Sequence, residues 1–159
     1  MPLQDAAALA ASLPLAQAMR EQPWLYPAVE TLHIVGFALL VGAVAMFDLR
    51  VLGFGRQLPV RALARHLLPW SAGSMLLVLP TGVLLFVADP AALLANRVFL
   101  LKLGLILVAG LNALAFHAGP WRGADTWPER APGIAVLHAL LSLGLWVAVI
   151  ASGRLLAYF

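Results

Sequence analysis

No cysteine occurs in the 159 residues, which excludes disulfide frameworks, thiolate metal centres and thiol redox chemistry. Any metal would rest on histidine, methionine or carboxylate. Charge is the second scarcity: Asp, Glu, Lys and Arg make up 11% of the chain against 63% for hydrophobic residues, and mean hydropathy is +0.95. A soluble domain of this size has too small an interior to hide that much apolar surface, so lipid is the solvent for most of the chain. The formal net charge of +3 and pI near 10.2 do not point to nucleic acid, because the arginines are spread over short connecting segments rather than gathered on one stripe. A serine nucleophile elbow, a phosphate-cradling glycine loop and a dinucleotide fingerprint are missing too. Hydrolase or kinase chemistry of the soluble type is therefore a poor fit, and no particular enzymatic reaction follows from the sequence.

What the chain does have is long apolar runs. A transmembrane helix takes about 20 mostly apolar residues, and four such spans are predicted at 26–48, 67–88, 98–118 and 134–157. Gly53, Gly55 and Pro59 follow the first, Asp89-Pro90 closes the second and Gly119-Pro120 closes the third, as turn punctuation should. The expected fold class is all-α, an integral membrane four-helix bundle over residues 23–159. Residues 1–22 resemble a signal peptide in their small apolar content, but Asp5 stands where a basic region belongs. They are expected to form an interfacial amphipathic helix interrupted at Pro14, with Trp24 and Tyr26 anchoring the first span at headgroup level.

Orientation follows from the basic residues. The connections after the first and third spans carry Arg50, Arg56, Arg61, Arg65, Arg122 and Arg130, against Arg20, Arg97, Lys102 and Arg154 on the other side. The richer group should be cytoplasmic, which predicts a multi-pass protein of a bacterial inner membrane with both termini in the periplasm.

At about 1.5 Å of rise per residue, the polar side chains sort into two depths. Glu30, His33, Thr81, Lys102 and Arg154 form an expected outer cluster. Asp48, Arg50 and Asn112, with His66, His117 and His138, form an expected inner one. Glu30 and Asp48, about five turns apart, project from one helix face, and His66, Trp70, Ser74 and Thr81 share a stripe on the second span. Charged groups facing lipid are costly, so these faces should turn inward or toward another subunit.

Two kinds of chemistry fit these residue types. Glu30-x-x-His33 places a carboxylate and an imidazole on adjacent turns, a spacing used for metal ligation in bundles; the alternative is that Glu30 pairs with Lys102 or Arg154 while His33 is a hydrogen-bonded neighbour. Among His66, His117, His138 and His33, two rings from facing helices would suffice to grip a b-type haem or a copper ion. Gly73, Gly104, Gly110 and Gly144 would offer slots for a cofactor or for helix packing. Trp121 and Trp127 read as interfacial anchors, and Met46 and Met75 as core packing rather than a thioether copper path.

The combination WLYPAVETLH, Gly36, Gly42, DLRVLG, the Thr81-Gly82 pair, Asn96-x-x-Phe99-x-x-Lys102, Asn112 and GRLLAY near the C-terminus resembles a family of small, uncharacterised four-helix bacterial inner-membrane proteins. That resemblance covers nearly the whole chain and implies the architecture without an activity. A narrower likeness, carried by His33 and Gly36 on the first span, is to copper-resistance membrane proteins of the CopD type and to small bis-His b-type cytochromes.

The expected function is a membrane redox protein holding haem b and passing electrons between a quinol and a periplasmic partner. Proton or metal-ion transport through Glu30, His33 and Asp48 is the alternative, with copper or no cofactor. An accessory subunit of a larger membrane complex is the third. Polar groups beyond what one small bundle can bury predict a homo-oligomer in the lipid bilayer.

Overall fold

The computed structural model describes residues 2–127, 130–156 and 158, with side chains described except at 2–6 and 126. Among these residues every regular element is helical. In hydrocarbon no water is available to satisfy backbone N–H and C=O groups, so apolar runs of this length close their hydrogen bonds internally. Four helices are long and apolar enough to cross a membrane: α3 (Leu25–Val51), α4 (Val60–Ala88), α6 (Arg97–Ala118) and α7 (Gly133–Leu155). Two short helices precede them, α1 (Pro2–Ala11) and α2 (Pro14–Glu21), and α5 (Pro90–Ala95) and a 3-10 turn (Pro120–Thr126) fill two connections.

The N-terminal segment is thus two helices separated at Ser12 and Leu13, with Pro14 opening the second. Arg20 fixes both to the bundle, its guanidinium donating to the Ala88 carbonyl at 3.1 Å and the Ala11 carbonyl at 2.7 Å. Two boundaries differ from the expected spans. α3 runs three residues past Asp48, and α4 begins seven residues before 67, so Arg61, Arg65 and His66 are helical. Charged residues lowered the hydropathy there, while Pro59 had already supplied a helix start. The expected end of the fourth span, at 157, lies outside the described residues.

Local sequence explains the ends. Arg50 is buried beneath the α3–α4 loop, where Nε donates to the Leu58 carbonyl at 2.6 Å and Nη2 to the Arg56 carbonyl at 3.1 Å. Gly53 and Gly55 turn the chain there with φ of +104° and +62°, a region costly for residues with a Cβ. Asn96 caps α6, its Oδ1 accepting from the Val98 and Phe99 amides at 2.9 and 3.3 Å.

α3 packs along α4, α6 along α7, and α3 against α7 joins the two hairpins. α4 and α6 stand farther apart and meet through side chains, as where Phe86 stacks on Phe99 at 5.9 Å. The order across the molecule is α4, α3, α7, α6. Glycine sets the closest approach: a Cβ on Gly36 would lie 3.0 Å from Val78 and 3.2 Å from Leu77. Little else is buried, and outward leucines such as Leu76, 81% exposed, present the apolar surface that lipid covers.

Three expectations change here. The four glycines expected to form slots, Gly73, Gly104, Gly110 and Gly144, have nothing among the described residues within 4 Å of a Cβ; Gly36, Gly82 and Gly153 make the close approaches instead. Met46 and Met75 are exposed rather than core. Trp121 and Trp127 fold back against Phe47 and Phe116 as partly buried members of the inner core, because the 3-10 turn carries them under the bundle.

Candidate functional site

The inner layer is organised by one amide. Asn112, buried on α6, donates from Nδ2 to the His138 carbonyl of α7 at 3.0 Å, and its Oδ1 lies 2.7 Å from His138 Nδ1. The amide nitrogen is spent on a carbonyl, so the atom facing the ring is an acceptor and Nδ1 donates. His138 is therefore held in one tautomer with Nε2 bare. One turn along α7, the Ser142 hydroxyl lies beside Asp48 of α3 and interacts with its carboxyl group. Asp48 is 6% exposed, and its Oδ2 is sealed from solvent with no hydrogen-bond partner among the described residues. A buried ionisable group in a membrane span is costly to keep, which marks this corner as a functional candidate.

Aromatic rings close the layer from below. Phe116 meets Phe47 at 5.8 Å, Trp121 at 6.1 Å and His138 at 6.1 Å between centroids. His117 packs on Phe116 as well, at 5.5 Å, and bonds the Ala113 carbonyl of its own helix at 2.8 Å. Phe116 thus contacts both rings, and His117 is exposed. His66 is exposed too, as is Trp70 at 62%, while Ser74 and Thr81 are buried. The expected α4 stripe divides: its outer half faces the bundle and its inner half faces outward, since the stripe is broader than the seam with α3. Arg50 serves the loop described above rather than the polar cluster.

The outer layer is built from glycine and one hydroxyl. Thr81 donates to the Leu77 carbonyl at 2.6 Å, and His33 Nδ1 lies 3.0 Å from the same Oγ1. With its hydrogen committed, Oγ1 accepts, so His33 also donates from Nδ1 and leaves Nε2 bare. The ring comes close to Gly82, where a Cβ would lie 3.2 Å from Cε1, and it stacks on Phe37, which meets Trp146 of α7 at 5.8 Å. The charges of Lys102 and Glu30 both act on this ring. Lys102 reaches α7 at Gly153, with Nζ 3.6 Å from where a Cβ would stand.

Glu30 is exposed. Arg154 turns outward to Tyr158, bonding its hydroxyl at 2.7 Å and stacking on its ring at 4.9 Å. The ion pair among the described residues is elsewhere, between Arg61 and Asp125 at 2.8 Å. The structure therefore joins His33 to Thr81, with the Lys102 charge acting on the ring, and separately joins Asn112 to His138, one turn from Ser142 and Asp48; it leaves Arg154, His66 and His117 apart from them. Among the described residues no three His, Asp or Glu side chains gather as a metal site.

Sequence reasoning missed Gly82, Gly153 and the Phe37–Trp146 contact. The Thr81-Gly82 pair and the glycine preceding Arg154 were visible signals, but which glycine faces a partner is a tertiary fact. Ser142, beside Asp48, carries no signal in the sequence that would single it out.

These features define a multi-pass helical membrane protein with two buried polar layers, each holding one oriented imidazole. The chain belongs to the family described as DUF6644, a family of unknown function, whose model matches residues 25–159. Neither the curated proteins nor the solved structures gave a match.

Proposed function

We propose that the protein carries protons across a bacterial inner membrane, with both termini in the periplasm. The observation that supports this reading is the shared state of His33 and His138: one ring in each layer, each with Nδ1 tied to a neighbouring helix and Nε2 bare. Such a ring takes a proton at Nε2 and returns it from the same atom, while the Nδ1 bond keeps it aimed. Glu30, exposed at the outer end, collects protons for His33; Asp48, with a partnerless carboxyl oxygen, exchanges them at the inner end.

His33 and Asp48 are separated by about 22 Å along α3 at the helical rise. Transfer over that span takes a water chain or alternating exposure of the two layers. In vesicles enclosing a pH-sensitive dye, the wild type should dissipate an imposed pH gradient and Asp48→Asn should not. No flux in the wild type, or equal flux in the variant, would remove the reading.

Haem-based electron transfer from a quinol to a periplasmic acceptor is a second reading, favoured by His138. A metal-bound histidine ordinarily donates its other ring nitrogen to a fixed acceptor, as His138 does to Asn112. Because Phe116 contacts the rings of both His117 and His138, a second axial ligand would come from another copy or another residue type. A Soret band in protein expressed with added haem, lost in His138→Ala, is the expected sign. Open space beside Gly73, Gly104, Gly110 and Gly144 leaves helix faces for a homo-oligomer, which mass photometry of the solubilised protein would reveal above the monomer mass.

A further inference from the structure

A cavity of about 730 Å³ lies between the first half of α4 and the 3-10 turn. Its lining is divided along its length. At the end nearest the α3–α4 loop stand Arg61 and Arg65, with Trp121 and Asp125 across from them; farther along α4 the wall is Leu68, Pro69 and Ala72. Arg61 to Ala72 is eleven residues, about 16 Å of helix, or roughly half of a hydrocarbon core about 30 Å thick. The cavity is thus polar at the depth of the membrane interface and apolar where acyl chains lie.

The charges at the polar end do not cancel. Arg61 is neutralised by Asp125 at 2.8 Å and stacked on Trp121 at 4.6 Å, but its buried Nε has no acceptor among the described residues. Arg65, one turn on, is exposed and makes no hydrogen bond or ion pair with the described residues. Pro69, which has no amide hydrogen, stands one turn beyond Arg65 in the same wall. One net positive charge with unused donors suits a singly charged phosphodiester, and guanidinium groups match its oxygens well.

We propose that this cavity holds one anionic phospholipid, its phosphate at Arg61 and Arg65 and an acyl chain along Leu68, Pro69 and Ala72. The bound lipid braces the 3-10 turn against α4 on the side where α4 and α6 do not pack closely. That would keep Trp121 under the inner core, where it supports Phe116 and the His138 clamp.

The test is native mass spectrometry of the full chain released from detergent carrying equal amounts of phosphatidylglycerol and phosphatidylethanolamine. The wild type should retain one phosphatidylglycerol in preference to phosphatidylethanolamine. Arg65→Gln, which breaks no contact within the protein, should weaken that retention about tenfold, the loss expected for one charge-assisted bond. Ala72→Trp, which fills the apolar end from an exposed position, should weaken it as well, whereas Arg97→Gln on the opposite side should not. Equal retention of the two lipids by the wild type, or undiminished retention in either cavity variant, would overturn the proposal. Retention lost with Arg65→Gln but kept with Ala72→Trp would mean phosphate binding without a seated chain.

Discussion

Phe116, Phe47 and Trp121 pack together beside the His138 ring, and the Asn112 amide of α6 bonds both that ring and the His138 carbonyl on α7. At the other end of the bundle, His33 bonds the Thr81 hydroxyl and meets the Val78 backbone over a glycine, and Glu30, one turn away on the same helix, is exposed. The same residue types are thus held by enclosure in one layer and by close helix approach in the other. Enclosure fixes a group firmly but leaves it few exchange partners; close approach leaves it reachable but weakly anchored. The proposed path, which collects protons at Glu30 and exchanges them at Asp48, would use that asymmetry.

The largest expected departure from this contrast is functional. Asp48→Asn keeps shape and removes the exchanging oxygen, so proton flux in dye-loaded vesicles should fall at least tenfold, while Glu30→Gln should slow flux by a smaller factor, about two- to threefold, because lipid-facing water offers other entry routes. Equal losses in the two variants would erase the distinction between the layers.

Stability should separate them as well. Asn112→Leu deletes two interhelical hydrogen bonds and strands the His138 ring in an apolar corner, which should cost about 1–3 kcal/mol, read as a lower thermal midpoint in detergent. Gly36→Val forces a branched side chain against Val78 and Leu77 and should cost about 1–3 kcal/mol by overpacking, whereas Gly73→Ala, with open space around it, should stay within about 0.5 kcal/mol. Thr81→Val removes the side-chain hydrogen bond of His33 with little change in volume. Interhelical bonds in membranes average about 0.6 kcal/mol, so its midpoint should shift less than that of Asn112→Leu or Gly36→Val. Nitrogen NMR of labelled His33 should nevertheless show the Nδ1–H tautomer losing its dominance, while His138 in the same variant keeps it.

Much of this was legible from residue order because hydrocarbon imposes severe rules. Spans of about 20 apolar residues must be helices, and Asp89-Pro90 and Gly119-Pro120 end two of them as expected. Depth along each helix is fixed by a constant rise, so the assignment of His33, Thr81 and Lys102 to one level and of Asp48, Asn112 and His138 to another could be computed by counting. Facing could not. His66 and His117 have the right depth but the wrong direction, and Trp121 and Trp127 enter the inner core because a short 3-10 turn reverses the chain, which hydropathy does not encode. The α4 start was displaced for a related reason: Arg61 and Arg65 lower local hydropathy, yet a helix emerging from the membrane keeps its backbone bonds.

The sequence by itself determined the solvent, the four crossings, the exclusion of thiol chemistry and the two levels of polar groups, because each follows from composition or from a fixed rise per residue. Only the tertiary structure decided that Asn112 and Thr81 orient one imidazole each, that Gly82 and Gly153 make room for His33 and Lys102, and that Arg50 and Arg154 serve a loop and a terminus instead. Those outcomes depend on which helices lie within a few ångströms of each other. Rotation about a helix axis changes every such distance while leaving the sequence pattern the same.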